Sequence, residues 1–265
     1  MNINTFSFKK SFGQNFIKDK TIIDKIVSSS DIKEDSLVIE IGPGGGALTT
    51  KLVEKAKQVV AYEIDTRLQE HLLETFQDKK NITFIFDDFL NRDVKKDISS
   101  YKYSHLYVIA NLPYYITTPI ITKLIDEQLN LDKMVVMVQK EVGDRFSAKV
   151  GSKEYNSLTV YLNYYFNIKK LFLVSKNVFV PKPNVDSVVV SLQKKEHLEK
   201  LKDKELFFKL VRDSFQFKRK NLRNNLKAYD LEKIKGVLEK YNFDLTVRAE
   251  QLSLDIFIEI SNALA

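Results

Sequence analysis

The chain has no cysteine, so disulfides, thiolate catalysis and cysteine-built zinc sites are excluded. Its three histidines, His71, His105 and His197, are scattered and argue against a histidine-built metal site, so no metal is expected. Long apolar runs are also missing. The longest purely aliphatic or methionine stretch, Met134 to Val138, is far too short to span a bilayer. The opening residues, MNINTFSFKKSFGQNF, lack both the apolar stretch of a secretory signal and the arginine-rich pattern of a transit peptide. The expectation is a cytoplasmic protein with no membrane association. Arginine is scarce, 7 residues against 35 lysines, so lysine abundance alone carries little meaning. What is present is an ordinary globular balance over 265 residues, 44% hydrophobic and 29% charged. The net charge of +7 suits a polyanionic partner.

Residues 37–193 alternate between apolar runs and helical-looking segments. The runs are LVIEIG (37–42), QVVAYEID (58–65), NITFIFDD (81–88), HLYVIANLPY (105–114) and KMVVMVQ (133–139), with helices expected at 47–57 and 66–76. This spacing predicts a parallel sheet with helices on both faces. KKLFLVS (169–175) and SVVVSLQ (187–193) leave no room for a helix between them and read as a terminal antiparallel hairpin. Beyond about residue 195 there is no proline and one glycine, Gly236. Helical periodicity runs through 203–227, 230–241 and 248–263. The expected organisation is an α/β domain at 1–195, with an N-terminal arm at 1–20, and a small all-helical domain at 196–265.

IEIGPGGGALT (39–49) places Gly42, Gly44 and Gly46 directly after a strand and before a helix. Glycines there permit a tight turn and close approach of backbone to a ligand. Glu63 ends the second strand, 21 positions after Gly42, where a carboxylate can bind ribose hydroxyls. These two features serve NAD and S-adenosylmethionine equally well, and no Walker-type phosphate loop is present. The third strand ends in Asp87 and Asp88. An acid at that edge can accept from an adenine amine, and Asp88 is favoured because Phe89 and Leu90 follow it and could wall the ring.

The fourth strand ends in Asn111-Leu112-Pro113-Tyr114, again at the edge where open α/β sheets bind ligands. The tetrapeptide fits the methylation of an adenine amine. The lone pair of that amine is delocalised into the ring. The Asn111 side-chain oxygen and the Leu112 carbonyl can both accept its N–H protons and return electron density to nitrogen. Pro113 fixes the turn and donates nothing. Tyr114 can stack on the base, worth roughly 1–3 kcal/mol. No ionisable general base is needed.

Together SFGQNFI (11–17), IGPGGGALT (41–49), Glu63, Asp88-Phe89-Leu90, NLPYYIT (111–117) and FVPKPNVDSVVV (179–190) resemble the ribosomal RNA adenine N6,N6-dimethyltransferase family over nearly the whole chain. The resemblance implies a class I S-adenosylmethionine-dependent methyltransferase fold, a Rossmann-like α/β sheet with a helical C-terminal domain. It implies that Gln14, Asn15 and Ile17 close over the methyl donor and that Gly42, Gly44 and their neighbours line its methionine portion. Glu63 would hold the ribose, Asp88 the adenine amine, and Asn111 would sit by the transferred methyl. Phe179 is implied as the second wall of an aromatic clamp opposite Tyr114. Ile17 stands where leucine is commoner, a harmless departure. The implied substrate is small-subunit ribosomal RNA in a pre-assembled subunit, modified by a monomer on two adjacent adenosines of a hairpin loop near the 3′ end of 16S RNA.

The macrolide-resistance methyltransferases of large-subunit RNA share a similar tetrapeptide, but NLPYYIT with FVPKPNVDS looks more like the small-subunit enzyme. A mainly non-catalytic subunit-assembly factor is the reading from another class. A NAD-dependent oxidoreductase is disfavoured by NLPY and by the lack of a hydride-transfer acid or base. The charge is uneven. Residues 209–227 carry a net +6, and the first 20 residues +3, through Lys9, Lys10, Lys18 and Lys20 against Asp19. Lys218, Arg219, Lys220 and Arg223, interleaved with Phe215 and Phe217, are the expected RNA-backbone contacts.

Overall fold

The computed structural model describes residues 15–265. Nine strands form: β1 (Phe16–Ile17), β2 (Ser36–Ile41), β3 (Gln58–Tyr62), β4 (Ile82–Ile85), β5 (His105–Asn111), β6 (Lys133–Gln139), β7 (Phe166–Val174), β8 (Phe179–Val180) and β9 (Ser187–Lys194). Seven make one sheet in the order β4-β3-β2-β5-β6-β9-β7. Pairing is parallel from β4 through β6, and β9 joins β6 antiparallel. All six residues of β2 are buried, as are six of the seven of β6. A parallel strand covered on both faces has no use for polar–apolar alternation, so these strands read as unbroken apolar runs.

Helices α1 (Lys20–Ser28), α2 (Ala47–Lys55), α3 (Gln69–Thr75), α4 (Val94–Asp97), α5 (Thr117–Asp126) and α6 (Lys140–Phe146) accompany the strands. The chain runs outward from β2 to β4, then returns to lay β5 on the other side of β2. That reversal opens a crevice at the carboxyl ends of β2 and β5, the place where open sheets of this kind bind ligands. The doubly wound α/β architecture agrees with the sequence. The expected hairpin of β7 and β9 is present, and its second strand is the one inserted next to β6. A separate two-stranded ladder joins β1 to β8, with Phe16 opposite Val180 and Ile17 opposite Phe179.

The chain divides into two compact units, residues 1–143 with 169–193, and residues 144–168 with 194–265. The second unit is helical, with α7 (Ser157–Tyr165), α8 (Lys204–Ser214), α9 (Leu222–Asn225), α10 (Leu231–Glu239) and α11 (Leu254–Leu264). Its core gathers Phe207, Leu210, Ile234, Leu238 and Phe257 with Tyr155, Val160 and Tyr164. Those last three explain why 144–168 lies in the helical unit, whereas the sequence boundary at 195 left it in the first domain. Tyr164 packs 5.5 Å from Phe207. The single helical stretch expected over 203–227 is broken after Ser214. The Asn225 side chain donates to the Ser214 carbonyl at 2.7 Å and accepts from the Phe217 N–H at 3.1 Å, which holds 215–221 as a turn. Among the described residues no helix is long and apolar enough to cross a membrane.

Candidate active site

The glycine loop leaves β2 at the crevice. Gly42 donates to the Tyr62 carbonyl at 2.9 Å, tying the loop to the end of β3. Gly44 has φ of +56°, and a Cβ built there would come within 2.8 Å of the Phe16 ring. Only glycine allows that backbone and that contact together. Gly46, also left-handed, starts α2.

Glu63 is 4% exposed. One carboxylate oxygen accepts from the Gly44 N–H at 3.0 Å and the other from the Asp65 N–H at 2.9 Å. Burial raises its pKa, the two N–H donors act against that, and the neighbouring Asp65 pushes it further up. Asp88 caps the short turn Phe89–Asn91, its Oδ1 accepting from the Leu90 N–H at 2.9 Å, and no hydrogen bond to its second oxygen is made by the described residues. Asp87 is engaged at both oxygens: Oδ1 accepts from the Asp88 N–H, and Oδ2 pairs with Arg92 at 3.4 Å. Phe89 is buried and packs edge-on against Tyr62, with 5.1 Å between ring centroids.

At the end of β5, the Asn111 Nδ2 donates to the Asn15 carbonyl at 2.9 Å. Its Oδ1 is buried and has no hydrogen-bond partner among the described residues. The contact at Nδ2 fixes which end of the amide faces the crevice. Leu112 donates its N–H to the Met137 carbonyl at 3.1 Å, and its own carbonyl receives no hydrogen bond from the described residues. Pro113 then turns the chain into the short turn Tyr114–Ile116.

One cavity of about 200 Å³ is walled by Asn15, Ile17, Gly42, Gly44, Glu63, Asp88, Asn111, Leu112 and Pro113. Two expected site residues are not among its walls. Tyr114 is half-buried, its hydroxyl 2.6 Å from that of Ser187. Phe179 is 3% exposed and packs in the core of its unit, with its strand paired to β1 and Phe179 itself opposite Ile17. Gln14, Lys9 and Lys10 lie outside the described residues. Lys218, Arg219, Lys220 and Arg223 are exposed in the helical unit. Lys209, counted in the same basic stretch, is bound to Asp213 at 2.6 Å and to the Tyr229 hydroxyl at 3.0 Å.

Phe16, Tyr115 and Glu40 are among the cavity residues that the sequence did not single out. Phe16 lies inside SFGQNFI, yet nothing local showed that its ring covers Gly44. Tyr115, 53% exposed at the cavity, directly follows Tyr114, and nothing local separates the two rings. Glu40 did carry a signal, a lone acid inside a wholly apolar strand. It is 1% exposed, and burial pushes its carboxyl up to about 8. Among the described residues, no cluster of His, Asp and Glu is placed to hold a metal ion.

Residues 5–265 match the model of a family described as ribosomal RNA adenine dimethylase. The chain is 46% identical over 98% of its length to the ribosomal RNA small subunit methyltransferase A of Bacillus mycoides, and 44% identical over 98% to that of Streptococcus gordonii, in each case spanning 92% of the relative. Its structure resembles a dimethyladenosine transferase from Plasmodium falciparum, with a TM-score of 0.78 and 28% identity over 92% of this chain and 95% of that one. It also superposes on the 23S rRNA methyltransferase ErmE, with a TM-score of 0.75 and 24% identity over 94% of this chain and 99% of that one, a likeness of fold alone. With the glycine loop, the carboxylates and the NLPY turn converging on one cavity, the chain belongs to the ribosomal RNA adenine dimethylase family.

Proposed function

We propose that this chain transfers methyl groups from S-adenosylmethionine to the exocyclic N6 amines of two adjacent adenosines near the 3′ end of 16S ribosomal RNA, giving N6,N6-dimethyladenosine during small-subunit biogenesis. The observation that supports it is the buried Oδ1 of Asn111, which no described residue partners and which the bond from Nδ2 to Asn15 holds toward the crevice. An orphaned buried acceptor costs roughly 1–3 kcal/mol, a cost that an N–H-bearing substrate removes.

The residues present fit the methyl donor. Glu63 uses one lone pair on each oxygen for a backbone N–H and keeps others for ribose hydroxyls. Asp88 keeps its second oxygen for the adenine amine, while Asp87 is held by Arg92. The donor, when bound, supplies a methyl group activated on a sulfonium. The chain's own part is to aim the acceptor amine. Asn111 Oδ1 and the Leu112 carbonyl accept hydrogen bonds from its two N–H groups and make the nitrogen more electron-rich as it attacks. Tyr114 faces the target base. The methylated nitrogen carries a positive charge and releases its proton to water, so no protein base is required. The 46% identity to a small-subunit methyltransferase favours the small-subunit substrate over the large-subunit one. The exposed cations of the helical unit would hold the RNA backbone.

Methyl transfer from labelled donor to unmethylated small and large subunits, followed by nucleoside analysis, tests this reading. The expected result is dimethyladenosine in the small subunit, with Asn111→Ala lowering turnover by about 10²–10³ while donor affinity changes little. Near-normal turnover of Asn111→Ala, or labelling of the large subunit alone, refutes it.

A further inference from the structure

We propose that Ser187 is a positioning residue for methyl transfer, its buried hydroxyl locking the Tyr114 ring in the plane in which that ring stacks on the target adenine. The inference rests on the reading that Tyr114 faces the substrate base. Ser187 is fully buried at the first position of β9 and lies opposite Gln139 of β6 in the sheet. Its predecessor, Asp186, accepts the Lys140 N–H through its carbonyl at 3.0 Å and the Lys176 N–H through its carboxylate at 2.9 Å. The hydroxyl is therefore mounted on backbone held from three directions. Tyr114 sits outside the sheet, at the first position of the three-residue 3-10 turn after Pro113. Among the described residues, the one hydrogen bond of its side chain is the 2.6 Å contact between the two hydroxyls.

The adjacent tyrosine shows what the tie does. Tyr115 follows in the same turn, is 53% exposed and lines the donor cavity, while Tyr114 is half-buried and stands apart from those walls. Two neighbouring rings are thus held differently, one anchored at its hydroxyl and one turned to the cavity. Burial raises the Tyr114 pKa, so the phenol stays neutral and can share one proton with Ser187 in either direction. A stacking wall sets the plane of the base, and the plane of the base sets the line of attack on the methyl group. Small errors in that line are costly in rate, because transfer needs the reacting atoms aligned. Ser187 also ends the segment that begins at Phe179–Val180, whose partner strand, Phe16–Ile17, covers the glycine loop. Six residues, 181–186, therefore separate the anchor from the strand that pairs with the loop cover.

The test uses the full-length protein with unmethylated small subunits, in single-turnover and steady-state assays, with donor affinity measured by calorimetry. The variants are Ser187→Ala, Tyr114→Phe, the double variant and Tyr114→Ala. Removing either hydroxyl should lower the rate of transfer about ten-fold with donor affinity unchanged, and the double variant should be no slower than either single one, since all three lack the same bond. Should Ser187→Ala fail to fold, Tyr114→Phe reports the same bond from its less buried end. Rates within about two-fold of wild type for both single variants, or effects that multiply in the double one, overturn the anchoring role. An inactive Tyr114→Ala beside fully active hydroxyl variants overturns the anchor alone. An active Tyr114→Ala overturns the reading that Tyr114 faces the base.

Discussion

Replacing Glu40 by glutamine should remove a large part of the pH dependence of stability. Glu40 lies in β2 between Ile39 and Ile41 and is 1% exposed. Burial raises its carboxyl from 4.5 to about 8, with the Thr49 hydroxyl drawing it down and the Glu63 carboxylate pushing it further up. Thr49 is near enough to favour the charged form, yet among the described residues neither Glu40 Oε2 nor Thr49 Oγ1 completes a hydrogen bond. Geometry and pKa together therefore describe a neutral carboxylic acid at pH 7.

The unfolded chain releases this proton near 4.5 and the folded chain holds it to about 8. Between those values the folded state binds more protons, so stability falls as pH rises. The contribution is fully present below 4.5 and lost as pH passes through about 8. At about 1.4 kcal/mol for each tenfold change in proton affinity, the gap sets a ceiling of about 5 kcal/mol. Glutamine has the same shape and no titration. Urea midpoints measured at pH 5.5 and 8.5 should show wild type losing several kcal/mol more than Glu40→Gln. Parallel losses in the two proteins would refute the claim that Glu40 is buried neutral.

Gly44→Ala should lower donor affinity more than ten-fold while costing about 1–2 kcal/mol of stability, because its Cβ meets Phe16 at 2.8 Å and its φ is +56°; calorimetry and thermal melting separate the two effects. Gly143→Ala drives a methyl to 2.2 Å from Val188 and should destabilise the protein by about 1–3 kcal/mol, read from urea unfolding, with no change if the helix slides freely. Alanine at Lys218, Arg219, Lys220 and Arg223 should flatten the salt dependence of RNA binding, by about 0.7–0.9 in log–log slope for each phosphate contact removed. Lys209→Ala should leave that slope alone, because Asp213 and Tyr229 already hold its charge; an equal effect there would contradict the distinction.

The parallel sheet was legible because a strand buried on both faces leaves a plain trace, an apolar run stopped by Gly42, Asp87 or Asn111. Lys133–Gln139 is a strand over the same seven residues that the sequence suggested. What the sequence concealed depends on contacts distant along the chain. Nothing in EYNSLTVYLNYYF marks Tyr155, Val160 and Tyr164 as part of a core built with Phe207 and Phe257, so 144–168 could not be separated from its neighbours. Strands β1 and β8, two residues each, are too short to carry any period. The break after Ser214 depends on Asn225, eleven positions on, whose amide takes over the carbonyl that a continuing helix would have used.

The active site divides along the same line. The cavity residues at strand ends, Gly42, Glu63, Asp88 and Asn111, could be found by reading where each apolar run stops, since in a doubly wound sheet every such stop opens on one crevice. The groups that set their geometry come from elsewhere. The Asn111 amide is oriented by a carbonyl 96 positions earlier, and the Tyr114 ring is tied to a hydroxyl 73 positions later. Side-chain identity thus supplies the chemistry, and long-range contacts supply its direction. An asparagine that swung freely could present its nitrogen to the substrate amine as readily as its oxygen, and two donors facing each other would oppose binding. The Asn15 carbonyl removes that choice by holding Nδ2, which leaves the oxygen as the only end of Asn111 that can meet an N–H.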